Sequence, residues 1–169
     1  HNIVSTLYSN GNLKVPMHFS PYVKMENCDH LDVYFKTKIQ IGGELLEIAL
    51  HWVEPYAVLF DEWYFSKELI SFLDRRGQRW MTEAKNNRLI RVDGDWVQLR
   101  DLFKSLPKER FKRINLDIEE KRYHWYLDLV LEMKNVGTVK IVLLKTRRNS
   151  RNFRCLVTND IHLDGIDIL

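Results

Sequence analysis

Asp61, Glu83 and Lys85 have the residue types and spacing for metal-assisted phosphoryl chemistry. Carboxylate oxygens suit a hard ion such as Mg²⁺, which prefers oxygen ligands and keeps several waters. The elements that must position them read clearly. Ala57, Val58, Leu59 and Phe60 form a continuous apolar run after Pro55, the pattern of a strand buried on both faces. Ser66 then offers an N-cap, and Leu69, Ile70, Phe72 and Leu73 recur at helical spacing until Gly77 closes the helix. A second strand is predicted over Gln78 to Ala84. This strand–helix–strand unit places Asp61 just past the C-terminal end of its first strand, where open α/β sheets keep their chemistry. N-cap and turn aspartates use the same position.

Charge is distributed unevenly. The formal net charge is only +3, yet residues 1–60 carry four basic side chains against six acidic ones. Arg75 to Arg113 carries twelve basic against five acidic, and Lys145 to Arg154 adds five basic residues with no acid. Such clustering predicts a polyanion partner, nucleic acid above all. Arg147, Arg148 and Arg151 are the expected DNA contacts of the second run. Trp63 is a candidate stacking platform for an unpaired base, and Lys85 and Arg88 candidate phosphate contacts. A core tryptophan and solvated loop cations are the structural alternatives.

Elsewhere the chain alternates between strand and helix signals. Asn2 to Tyr8 and Leu13 to Phe19 alternate around Ser9-Asn10-Gly11-Asn12, a strong hairpin signal. A helix is predicted from about Asp29 to Val53, with Phe35, Ile39, Leu46, Ala49 and Leu50 on its buried face and a break at Gly42-Gly43. Beyond Asn87 the pattern turns β-rich. A hairpin over Leu89 to Val97 turns at Asp93-Gly94-Asp95, and a short helix runs from Leu99 to Leu106. Strands are predicted at Phe111 to Ile118, Tyr123 to Met133, Val139 to Leu144 and Phe153 to Thr158, and a helix begins at Leu163.

At 169 residues with 45% hydrophobic and 29% charged side chains, the chain can bury one sizeable core. No apolar run approaches the roughly 20 residues needed to cross a bilayer, and no charged-then-apolar N-terminal signal is present. The two cysteines, Cys28 and Cys155, read as reduced thiols of a cytoplasmic protein. Cys28-Asp29-His30 reads as a helix start rather than a zinc site.

The order of these elements, with Phe60-Asp61-Glu62-Trp63-Tyr64, Ser66-Lys67-Glu68-Leu69, Arg75-Arg76-Gly77 and Glu83-Ala84-Lys85-Asn86-Asn87-Arg88, resembles DDE transposases of prokaryotic insertion sequences. Leu156-Val157-Thr158-Asn159-Asp160 is similar to that family's lead-in to its last catalytic helix. The match in order covers essentially the whole chain, and Tyr56 to Arg88 is its specific part. The resemblance implies an α/β fold: a ribonuclease H-like mixed sheet with flanking helices, interrupted by an antiparallel β-rich insertion. It places a partial core at residues 1–88, the insertion at 89–157 and a return to the core at 158–169.

Such enzymes hold two Mg²⁺ ions, or Mn²⁺, with three carboxylates, and they cleave and join transposon-end DNA by in-line phosphoryl displacement. By the resemblance Asp61 matches the second Asp and is both the catalytic and the metal-binding residue of this chain. The first Asp and the catalytic Glu are expected outside these residues, so the chain reads as a central fragment, inactive alone. The implied partners are double-stranded DNA, both transposon ends and target, and a second copy in a full-length homodimer; no membrane is implied. Two other readings stay open. Asp61 with Glu83-Ala84-Lys85 fits the D…E-x-K spacing of restriction-type nucleases, whose Glu and Lys project from one face of a strand. A non-catalytic basic DNA-binding module would leave Asp61 as a turn residue.

Overall fold

Asn10-Gly11 closes the first hairpin in the computed structural model, which describes residues 3–118 and 120–168. Gly11 takes a φ of 90°, and Asn10 Oδ1 accepts the N–H groups of Asn12 at 3.2 Å and Leu13 at 2.8 Å. Strand β1 (Ile3–Ser9) thereby pairs antiparallel with β2 (Lys14–Pro21). Their register shifts between Thr6 and Leu7, next to Pro16, which has no N–H to donate to a ladder.

The helix expected from Asp29 to Val53 is two pieces. A short helix α1 (Met25–Cys28) runs into a 3₁₀ turn at Asp29–Leu31, which Asp32 ends with a φ of 51°. The long helix α2 (Lys38–Trp52) starts only at Thr37. There a capping box forms: Gln40 N–H donates to Thr37 Oγ1 at 3.2 Å, and Thr37 N–H to Gln40 Oε1 at 2.8 Å. Phe35 therefore lies before the helix, exposed, and the buried stripe is Ile41, Leu45 and Ala49. Gly42-Gly43 does not break α2, because that stripe packs on either side of the pair. Cys28 closes α1 rather than starting a helix.

The chain divides at Tyr56/Ala57 into two compact units. The second unit is built on a mixed sheet of eight strands in the order β3-β4-β10-β9-β8-β5-β6, with β7 also pairing β8. Strand β3 (Val58–Phe60) is followed by a 3₁₀ turn at Glu62–Tyr64, helix α3 (Lys67–Arg75) and strand β4 (Trp80–Glu83). β3 and β4 are parallel, with Phe60 opposite Thr82, so α3 is their crossover. The other pairings of this sheet are antiparallel. They join β5 (Leu89–Val92), β6 (Asp95–Gln98), β7 (Lys112–Ile118), β8 (Lys121–Met133), β9 (Gly137–Lys145) and β10 (Arg154–Thr158), with helix α4 (Leu99–Ser105) between β6 and β7.

Residues 89–157 continue the sheet of residues 57–88, because β10 lies between β4 and β9. β9 is central, and Ile141, Val142, Leu143 and Leu144 are buried on its two faces. Two expectations are corrected. Leu59 is 76% exposed, so β3 is not buried on both faces; it is the end strand among the described residues, held by β4 along one edge. Residues 161–168 form turns rather than the start of a helix. Their local bonds, Ile166 N–H to Asp164 Oδ1 at 3.1 Å and Asp167 N–H to Asp164 O at 3.0 Å, close a turn on the Asp164 side chain and backbone. Among the described residues no helix is long and apolar enough to cross a membrane.

Candidate functional site

Asp61 follows β3 directly and caps the 3₁₀ turn, its Oδ1 accepting the Trp63 N–H at 3.0 Å. Ser66 Oγ then caps α3 by accepting the Leu69 N–H at 3.2 Å. Leu69, Ile70 and Leu73 bury the inner face of α3, and Phe60, Phe65 and Trp80 form an aromatic cluster. Thr82 Oγ1 donates to the Phe60 carbonyl at 2.8 Å, so the residue before Asp61 is held by a side chain as well as by the ladder. The result is an exposed carboxylate on a braced strand end. Its charge acts on the neighbouring Tyr64 phenol, whose pKa is raised first by burial and then by Asp61.

Beside it lies a groove of ≈ 400 Å³ lined by Glu62, Trp63, Lys85, Asn87, Arg88 and Lys134, among others. Trp63 is 72% exposed, so the core alternative does not hold for it. The Lys85 ammonium stands 4.2 Å from the Trp63 ring centroid and 4.0 Å from Glu62. Arg88 is turned inward: its guanidinium donates to the Phe65 carbonyl and lies 4.2 Å from the Phe65 ring centroid. Desolvation lowers the Arg88 pKa, and the Glu62 carboxylate opposes that shift. Of the two expected phosphate contacts, Lys85 is thus the one bordering the tryptophan, while Arg88 shapes the groove wall.

Glu83 and Lys85 are not brought together. β4 ends at Glu83, whose carboxylate takes Arg154 Nε at 2.8 Å and faces a different groove, with Tyr123, Thr146 and Ser150. Strand alternation predicts a shared face only while the strand lasts. Among the described residues, no group of three or more His, Cys, Asp or Glu could hold a metal ion. The Asp61 carboxylate is of the oxygen-donor type that a Mg²⁺ ion takes.

Arg147, Arg148 and Arg151 lie exposed in the loop between β9 and β10. Ser150 N–H donates to the Arg147 carbonyl at 3.0 Å, turning that loop. Arg148 is partly engaged, 3.9 Å from Glu109 and 5.6 Å from the Trp125 ring centroid. Lys134 and Asn87 of the tryptophan groove were not anticipated. Lys134 follows β8 and is held near β5 by its N–H donating to the Leu89 carbonyl at 2.9 Å, a long-range bond with no local sequence signal. No protein-family model matches this chain, and no curated protein matches it.

Proposed function

We propose that this chain is the central part of a DDE transposase catalytic domain, a ribonuclease H-like core carrying an antiparallel β-rich insertion, with Asp61 as the second carboxylate of the triad. The observation that carries the reading is the position of Asp61, at the C-terminal end of a strand that runs parallel to its neighbour through a helical crossover. The exposed tryptophan beside it, the Lys85 ammonium at that ring and the arginine-rich β9–β10 loop support a nucleic-acid substrate.

Two Mg²⁺ or Mn²⁺ ions, when bound, activate water or a 3′-hydroxyl and steady the leaving oxygen. This chain's share is narrower. Asp61 offers one oxygen ligand from a braced strand end, Trp63 offers a face to an unpaired base, and Lys85 neutralises a nearby phosphate. Arg147, Arg148 and Arg151 hold the double-stranded DNA of transposon ends and target, and the parent protein acts as a homodimer in the cytoplasm. The restriction-type alternative requires Glu83 and Lys85 beside Asp61, and the Arg154–Glu83 pair argues against it.

The test is excision of a marked copy of the element by its full-length protein, wild type against Asp61→Asn. Loss of excision with normal protein accumulation supports the reading. Undiminished excision by the variant overturns it.

A further inference from the structure

The Lys85 ammonium stands over an exposed ring and beside a carboxylate at once, 4.2 Å from the Trp63 ring centroid and 4.0 Å from Glu62 Oε1. A nitrogen donor therefore already occupies the place from which a base stacked on Trp63 would offer an N–H to Glu62. Both contacts that hold it there are weak. The Lys85 side chain is 42% exposed and that of Glu62 34%, so solvent screens their ion pair. A cation on an exposed ring is also worth less than a stacked base. An arriving base can displace the ammonium.

The backbone fixes the parts of this seat. Glu62 and Trp63 are consecutive on one 3₁₀ turn, closed by the Tyr64 N–H donating to the Asp61 carbonyl at 2.9 Å and the Phe65 N–H to the Glu62 carbonyl at 3.3 Å. Lys85 and Asn87 lie on a segment tied at both ends. The Ala84 N–H donates to the Cys155 carbonyl at 2.9 Å, and the Arg88 carbonyl accepts the Leu99 N–H at 2.8 Å. Lys134, exposed, lines the same groove, whose ≈ 400 Å³ falls in the size range of small-ligand sites.

We infer that this groove seats one unpaired guanine of a DNA strand, stacked on Trp63 with its N1–H and N2–H donating to the Glu62 carboxylate. The inference rests on the DNA reading above and names the base that the tryptophan takes. A carboxylate only accepts, and its two oxygens suit a pair of adjacent donors. Of the four DNA bases, guanine alone has two adjacent N–H donors on its pairing edge. Adenine and cytosine set an acceptor nitrogen beside the amino group, and thymine sets a carbonyl on each side of its N–H. Those acceptors would face the Glu62 oxygens. As the guanine enters, Lys85 leaves the ring and joins Lys134 at the flanking phosphates.

The experiment measures, by anisotropy, binding of the 169-residue chain to short fluorescein-labelled thymine strands with one central guanine, hypoxanthine, adenine or cytosine. Wild type should prefer guanine over adenine and cytosine by at least about fivefold, the lower end of what one bidentate pair discriminates. Hypoxanthine, which keeps N1–H and lacks the N2 amino group, should fall between. Glu62→Gln should bind guanine no better than adenine, and Trp63→Ala should weaken every strand by at least about fivefold. Lys85→Ala should keep the guanine preference and lower the log–log salt slope by about 0.7, one phosphate of a single strand. Free dGMP should displace the guanine strand only at far higher concentration; displacement at matching concentration would overturn the strand as its source. Equal affinity for the four strands, or a guanine preference retained in Glu62→Gln, would overturn the guanine seat and leave the DNA reading standing. The base series uses wild-type protein, so the test holds even if a variant fails to fold. Absence of binding to any strand or duplex at low salt would overturn the DNA reading and the seat with it.

Discussion

The side chain of Asp61 and the backbone of Trp63 are joined by a 3.0 Å hydrogen bond, Oδ1 accepting from the N–H. One carboxylate oxygen thus caps the turn that presents the tryptophan, and among the described residues no bond is made by the other. The structural duty of this residue and the metal-binding duty proposed for it fall on different atoms and can be separated by substitution.

Asp61→Asn keeps an oxygen acceptor for the Trp63 N–H and should leave urea stability within about 0.5 kcal/mol of wild type. Asp61→Ala removes the cap and should cost roughly 0.5 to 2 kcal/mol. Equal losses in the two variants would show that the cap contributes nothing. The purified 169-residue chain should not nick DNA with Mg²⁺ or Mn²⁺. Robust cleavage that Asp61→Ala abolishes would contradict the fragment reading.

Substituting Arg147, Arg148 and Arg151 with Ala together should weaken duplex binding in proportion to the phosphates that these side chains neutralise. Arg148 is already engaged with Glu109 and Trp125, so a drop of about two units in salt slope is expected, rather than three. Unfolding curves should barely move, since exposed arginines usually contribute under about 0.5 kcal/mol each. An unchanged slope would return the loop to a solvated surface.

Gly165 touches β8 so closely that a Cβ there would lie 2.7 Å from Asp128 Cβ. Asp128 is also near Lys140 and Lys112, so it cannot yield freely. Gly165→Ala should therefore destabilise by about 1 to 3 kcal/mol, the usual range for overpacking, as read from urea midpoints. A wild-type midpoint would mean that the turn after β10 moves aside without cost.

Cys155 is 1% exposed, and burial first, then Glu83, raise its thiol pKa above the ordinary value of 9.0. The native thiol keeps its proton where the unfolded one has lost it. Stability from this source is fully present below pH 9.0 and declines as pH rises beyond it. Cys155→Ala should flatten the alkaline part of the stability profile. In the native protein the Cys155 thiol should resist a disulfide reagent at neutral pH and react after unfolding in urea; rapid native labelling of Cys155 would refute this.

Much of the architecture was legible because its causes are local. Asn10-Gly11, Ser66, Gly77 and Asp93-Gly94 act through their own backbone geometry, so hairpins, the α3 start and its end could be read from single residues. Alternation located most strands for the same reason. Reading failed where a local signal competed with another. Asp32 and the Thr37–Gln40 capping box split the long helix that periodicity alone predicted. Glu83 and Lys85 looked like partners at strand spacing, but β4 ends at Glu83 and Arg154 claims its carboxylate from 71 residues away.

What the sequence by itself determined is the presence of Asp61 past a strand end, the chemistry that Trp63 and Lys85 can offer, and the basic runs; these depend on residue type and short spacing. Only the tertiary structure decided that Arg88 turns inward to Phe65, that Lys134 joins the tryptophan groove, and that Lys145 is buried over Phe103 and Phe111. Each of those depends on strand pairing across tens of residues. Pairing is chosen by burial of the whole sheet, and no short stretch of sequence encodes it.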